Sequence, residues 1–157
     1  MITAYISIGS NVDREHYLPA GVAAVAKLAT AWRMSRIFEA EPVGFEGDNF
    51  FNSVIEIKTS LSLVTLQQSL KAIERQLGRP DNAAKNQSRT IDLDILLYGD
   101  VINEASPTLP RSDLYKFAFV LWPMSELCPE LVIPGQQQTI AELWQNFSPQ
   151  QSLWPVE

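Results

Sequence analysis

"SRTIDLDILLYGD", Ser88 to Asp100, sets two aspartates inside an aliphatic run. Alternate residues of a strand point to opposite faces. Asp92 and Asp94 therefore share one face, and Ile91, Leu93 and Ile95 share the other. Such a strand is covered by helices on its apolar side and open on its acidic side. Two carboxylates at roughly 6–7 Å repel by about 2–3 kcal/mol at an effective dielectric of about 20. Two readings relieve that repulsion. The pair is either solvated on an exposed sheet face and countered by Arg89, or it holds Mg²⁺, whose preference for hard oxygen ligands it satisfies.

The flanking sequence supplies the rest of the sheet. "ITAYISIG" (Ile2 to Gly9) alternates as a first strand, and "GSN" breaks it. Leu18, Val22, Val25, Leu28 and Ala29 recur at helical spacing and predict a helix from about Asp13 to Ala31. "WRMSRIFEAEPV" reads as a second strand ending before Pro42. "FFNSVIEIKTS" reads as a third, with Val54 facing opposite to Ile55 and Ile57. Leu63, Leu66, Leu70, Ile73 and Leu77 form one unbroken stripe, with Ser62 as N-cap and Gly78 as the stop. After the aspartate strand, "DVINEASPTLP" is a connection. "KFAFVLWPM" is predicted to be a further strand ended by Pro123. "TIAELWQNF" carries a capping box, Thr139 with Glu142, and predicts a short helix. "SPQQSLWPVE" gives no signal.

Strand–helix–strand thus occurs twice. The expected fold class is α+β: a ferredoxin-like, mostly antiparallel sheet with helices packed on one face and a C-terminal extension. No linker or repeat divides the chain, so residues 1–157 are expected to form a single domain.

With 157 residues, the chain can bury one substantial core. A net charge of −6 argues against broad contact with nucleic acid or anionic lipid. No segment is apolar over bilayer length, and the N-terminus lacks a basic leader. Cys128 is the lone cysteine and reads as an apolar filler, so no internal disulfide forms and a reducing, cytoplasmic setting is expected. The single His16 excludes a His-rich metal site or a histidine triad.

The neighbours of the aspartates favour the metal reading. Glu74 lies off the apolar stripe of its helix. Arg79, Lys85 and Arg89 sit in the polar stretch before the strand. Cations for phosphate oxygens beside carboxylates for a metal suit a Mg²⁺–nucleotide site. Arg89 can serve it only if the backbone is still irregular there, because strand parity would turn it away.

In these pieces the sequence resembles the 6-hydroxymethyl-7,8-dihydropterin pyrophosphokinases of folate synthesis. "IGSN", "FFNSV", "IERQLGR", "RTIDLDIL" and "LPR…FAFVLWPMSEL…PEL" match in order and spacing over about nine-tenths of the chain. The resemblance implies transfer of pyrophosphate from ATP, as co-substrate, to the pterin hydroxymethyl group. It implicates Asp92 and Asp94 as ligands of two Mg²⁺ ions, with Arg79 and Arg89 beside them in catalysis. It implies a pterin pocket of Val43, Phe50, Asn52 and Phe119, the two rings stacking on the pterin. For ATP it implies Glu74, Arg79, Lys85, Arg89, Ile95 and Thr108, to which Arg111 is added as a cation in place of the family's histidine. The loops Gly44 to Asn49 and Arg79 to Ser88 would close over the substrates. The small-molecule partners are ATP and the pterin, and a monomer is expected.

Three places depart from the family pattern. Gln87-Ser88 replaces Gly-Pro, Arg111 replaces a histidine, and Phe117 replaces an arginine next to Lys116. These departures keep open a pterin-binding paralogue with weak or no kinase activity, and a ferredoxin-like interaction module without catalysis.

Overall fold

The computed structural model describes residues 1–78, 88–148 and 151–156. Its elements are β1 (Ile2–Ser10), α1 (Arg14–Ala26), β2 (Ala31–Met34), β3 (Phe38–Ala40), β4 (Phe50–Thr59), α2 (Leu63–Gln76) and β5 (Asp92–Tyr98), then α3 (Asp113–Lys116), α4 (Ala118–Leu127), α5 (Ile140–Gln145) and β6 (Leu153–Pro155). The strands form one sheet in the order β5-β1-β4-β3-β6, with β2 also on β4. Every pairing is antiparallel. If β2 and β3 count as one interrupted strand, the order is fourth, first, third, second, the ferredoxin-like arrangement.

The alternating strands place their apolar residues as expected. Ile6, Ile8, Ile55, Ile57, Ile91, Leu93 and Ile95 pack with Leu18 and Val25 of α1 and with Leu66, Leu70 and Ile73 of α2. Val54 faces the other way, into a second cluster with Tyr5, Leu96, Leu97 and the α4 residues Val120, Leu121 and Met124. Thus α1 and α2 cover one face of the sheet, and the C-terminal extension returns over part of the other. Cys128 is a free thiol buried in that second cluster. Ser62 accepts from the Thr65 amide as the α2 N-cap, and Gly78 follows the helix at φ 99°, a conformation that favours glycine. The Thr139–Glu142 capping box is formed.

Three predicted elements differ, and one strand was not predicted. "KFAFVLWPM" is not a strand: Lys116 ends α3, Phe117 is extended, and Ala118–Met124 lies in α4 with Pro123 inside. The segment is apolar on every side, so periodicity cannot separate a buried strand from a buried helix. The predicted second strand is two pieces, β2 and β3. Between the pairs Met34/Ile55 and Phe38/Asn52, residues 35–37 oppose only 53–54, which inserts one residue. Ser35 Oγ accepts the Val54 amide at 3.0 Å and meets Ser53 Oγ at 2.9 Å, so the interruption leaves that amide satisfied. Helix α1 ends at Ala26, short of Ala31. The terminal "SLWPV" supplies β6, an edge strand on β3. Among the described residues no helix is long and apolar enough to cross a membrane.

Candidate active site

Two rows of residues run across the sheet face opposite α1 and α2. In one, Asp94 pairs with Ser7, and Ser7 with Val54. In the other, Asp92 pairs with Gly9, Gly9 with Asn52, and Asn52 with Phe38. Gly9 is buried and has no side chain, so the Asn52 amide and the Phe50 ring approach the β1 backbone closely there, between β4 and the acidic edge. A Cβ there would lie 2.8 Å from Asn52 Oδ1 and 3.6 Å from the Phe50 ring. An irregularity in the β1–β5 register just beyond Ile95 turns both Leu96 and Leu97 toward the second cluster. The acidic pair lies at the start of the strand, outside that cluster.

Arg111 meets this pair from the connection after β5. Its Nη2 lies 3.5 Å from Asp94 Oδ1, and its Nε donates to Asp113 Oδ2 at 2.9 Å. The Arg111 amide donates to the Leu96 carbonyl at 3.0 Å, which anchors the connection on β5. Burial, and then the charge of Asp92, push the Asp94 carboxyl well above its ordinary 3.8, while Arg111 opposes the rise. Burial pulls the Arg111 guanidinium down, but Asp94 and Asp113 hold it above its ordinary value. A carboxylate strained toward protonation beside another is relieved by a divalent cation. The donor set therefore fits Mg²⁺. Among the described residues no group of three or more His, Cys, Asp or Glu is gathered around a metal position.

Glu74 and Arg89 are both buried, at 2% and 7% exposure. Glu74 Oε2 accepts the Leu93 amide at 2.8 Å, and Lys71 Nζ lies 3.5 Å from its Oε1. The contact ties α2 to the outer edge of β5, between the two aspartates. Arg89 precedes the strand, which begins only at Asp92, so the backbone at Arg89 is irregular as its proposed role requires. Asn11 holds it there. Asn11 Oδ1 accepts the Arg89 amide at 2.7 Å, and the Asn11 and Val12 amides both donate to the Arg89 carbonyl.

The aromatic side of the site lies toward β3, β4 and α4. Asn52 is buried, and Phe50 is half-buried on the same face of β4. Phe119 is on the first turn of α4, not on a strand, and stacks on Phe117 at 5.0 Å between centroids. Val43 is exposed and lines a cleft of about 650 Å³ with Pro42, Ala118, Trp122, Trp144 and Leu153. The Gly44 to Asn49 loop is tethered by Asn11 Nδ2 to the Asp48 carbonyl at 3.0 Å and by Arg14 Nη1 to the Asn49 carbonyl at 3.1 Å.

The remaining sequence-predicted residues divide. The Ile95 side chain is buried in the core, so only its backbone faces the open edge of β5. Thr108 is exposed in the connection, where its Oγ1 lies 3.5 Å from the Glu104 carbonyl. Arg79 and Lys85, and all of the Arg79 to Ser88 loop but Ser88, lie outside the described residues. Sequence reasoning missed Gly9 and Asn11, which it took for turn residues. It named Arg111 as a possible phosphate cation, without its contact to Asp94. The close approach at Gly9 had one legible signal, a glycine still inside the alternation of β1.

Residues 5–129 match the family model described as 7,8-dihydro-6-hydroxymethylpterin-pyrophosphokinase (HPPK). The 2-amino-4-hydroxy-6-hydroxymethyldihydropteridine pyrophosphokinase of Haemophilus influenzae is 35% identical over 153 residues, 94% of each chain. The folic acid synthesis protein fol1 of Schizosaccharomyces pombe is 33% identical over 144 residues, 88% of this chain and 20% of that one. The crystal structure of Plasmodium falciparum HPPK-DHPS wild type with SDX-DHP superposes with a TM-score of 0.70 over 94% of this chain, at 13% identity. At that identity the likeness is one of fold, and the match spans 44% of the longer chain.

Proposed function

The chain belongs to the 7,8-dihydro-6-hydroxymethylpterin-pyrophosphokinase family, and from that premise we propose that it transfers pyrophosphate from ATP to 6-hydroxymethyl-7,8-dihydropterin in folate biosynthesis. The hydroxymethyl oxygen attacks the β-phosphorus, the bond from that phosphorus to the α,β-bridging oxygen breaks, and AMP leaves. The hydroxyl proton is lost to solvent.

One observation supports this reading best. The carboxylate pair and the Asn52 amide share one sheet face, with only the side-chain-free Gly9 between Asp92 and Asn52 in the row. That short spacing suits a ring held at Asn52 whose reactive arm must reach the phosphates. Asn52 offers a donor and an acceptor to the pterin edge. Phe50 and Phe119 cover the ring faces, and backbone groups near Val43 complete the edge.

Asp92 and Asp94 would hold Mg²⁺, two ions in this reading. Bound there, the metal neutralises phosphate charge and aligns attack. Arg89 and Arg111, with Arg79 and Lys85, supply cations to the phosphates. The Ile95 backbone at the open edge of β5 and the Thr108 hydroxyl face the nucleotide. Glu74 acts on that side by holding the β5 edge in place. The chain works as a single domain of residues 1–157, as a monomer in the cytoplasm.

The test uses ATP labelled at the β-phosphate, MgCl₂ and the hydroxymethylpterin. Label transferred to the pterin with stoichiometric AMP is the expected result. Release of labelled phosphate or pyrophosphate with none on the pterin would overturn the assignment. Pterin binding without AMP would leave a binding protein.

A further inference from the structure

The two walls of the proposed pterin pocket are joined by one side chain that belongs to neither. Phe119 sits in the first turn of α4, where amides lack partners within the helix. The N-cap residue Phe117 gives no side-chain cap. Gln151 supplies the missing partner, its Oε1 accepting the Phe119 amide at 3.2 Å. Its Nε2 donates to the Glu41 carbonyl at 3.3 Å. The amide of Glu41 in turn donates to the Ser152 carbonyl at 3.0 Å, and Leu153 pairs with Ala40. The C-terminal strand therefore grips the end of β3 and reaches across to α4 through Gln151.

We propose that Gln151 is a positioning residue for the pterin ring, setting the distance between the Phe119 wall and the Glu41–Val43 backbone. This rests on the pyrophosphokinase reading above. Gln151 acts through Phe119 and Glu41, and an amide is the side chain that can serve both, since one end must accept and the other donate. A shorter side chain fails to span the gap. A carboxylate keeps the acceptor and loses the donor. Both hydrogen bonds of Gln151 go to the pterin side, to α4 and to the end of β3, so the nucleotide side is spared.

The experiment compares Gln151→Met, similar in length with no amide, and Gln151→Glu, which keeps only the acceptor. Pterin Kd is read by calorimetry, and KM for each substrate from AMP formation. For Gln151→Met the pterin Kd and KM are expected to rise about tenfold, with the ATP KM held within about twofold. Gln151→Glu is expected to fall between wild type and Gln151→Met. An unchanged pterin Kd in a variant that melts cooperatively would overturn the proposal, as would equal rises in both KM values. If Gln151→Met does not fold, Gln151→Glu decides by the same criteria. Wild type without pterin-dependent AMP would defeat the pyrophosphokinase reading itself. Active wild type with variants of wild-type pterin Kd would defeat only the role of Gln151.

Discussion

Arg111 Nη2 lies 3.5 Å from Asp94 Oδ1, so the inner carboxylate of the acidic pair already has a cation from its own chain. The same guanidinium is held by Asp113, which keeps it beside the site rather than in solvent. An arginine here has two effects. It lessens the repulsion between Asp92 and Asp94, and in the proposed reading it serves the phosphates that a metal on those aspartates would bind.

Replacing Arg111 with Gln should therefore separate the two substrates. The ATP KM is expected to rise about tenfold to a hundredfold, the loss of a charged hydrogen-bonding partner, with pterin Kd unchanged. Mg²⁺ binding without nucleotide should tighten, because Asp94 loses its internal counter-charge. Calorimetry with MgCl₂ alone reads that second effect.

Asp94→Asn should lower AMP turnover by at least about a hundredfold, since a misplaced reacting group alone costs that much. Its effect on metal-free stability has the opposite sign. Burial and Asp92 raise the folded-state pKa of Asp94 above its ordinary 3.8. Between those two values the folded protein binds more protons than the unfolded chain, so the wild type loses stability as pH rises through that window. The asparagine side chain of the variant has no charge to bury. In EDTA, the variant should match or exceed the wild-type melting temperature at pH 7, and its relative advantage should shrink toward pH 4. A pH series of thermal melts checks the sign.

Gly9→Ala should injure the pterin side. Its new methyl group would meet Asn52 Oδ1 at 2.8 Å. Asn52 must move, at about 1–3 kcal/mol of stability for overpacking. Pterin affinity should fall about tenfold as the amide leaves its register. The ATP KM should stay near wild type, as read from paired titrations.

Phe119→Ala removes one ring of the proposed stack and should weaken pterin binding by about 1–3 kcal/mol. Equilibrium titration of the pterin against the variant measures it.

Glu74→Ala should act first on stability. It removes the acceptor of the buried Leu93 amide, at about 1–3 kcal/mol for an unsatisfied group. Urea unfolding at constant m-value is the measurement.

The aspartate strand was readable because one-sided burial imposes a period of two: Ile91, Leu93 and Ile95 went to the helices, and Asp92 and Asp94 went the other way. Helix α2 was readable for the same reason at a period near 3.6. Helix α4 was not, because Phe119 to Met124 is apolar around its whole circumference. The break at Ser35 hides in a run that alternates well enough on either side. The pairings of Arg111 with Asp94, Asn11 with Arg89, and Gln151 with Phe119 join distant parts of the chain. Local pattern holds no record of such contacts, so they came only with the fold.

The most direct test of the central claim is the Mg²⁺ dependence of AMP formation, measured with saturating ATP and pterin for the wild type and for the Asp92→Asn/Asp94→Asn double variant. The expected result is a saturable magnesium response in the wild type and a rate near background at every magnesium concentration in a double variant that remains folded. A double variant that keeps the wild-type magnesium curve would contradict it.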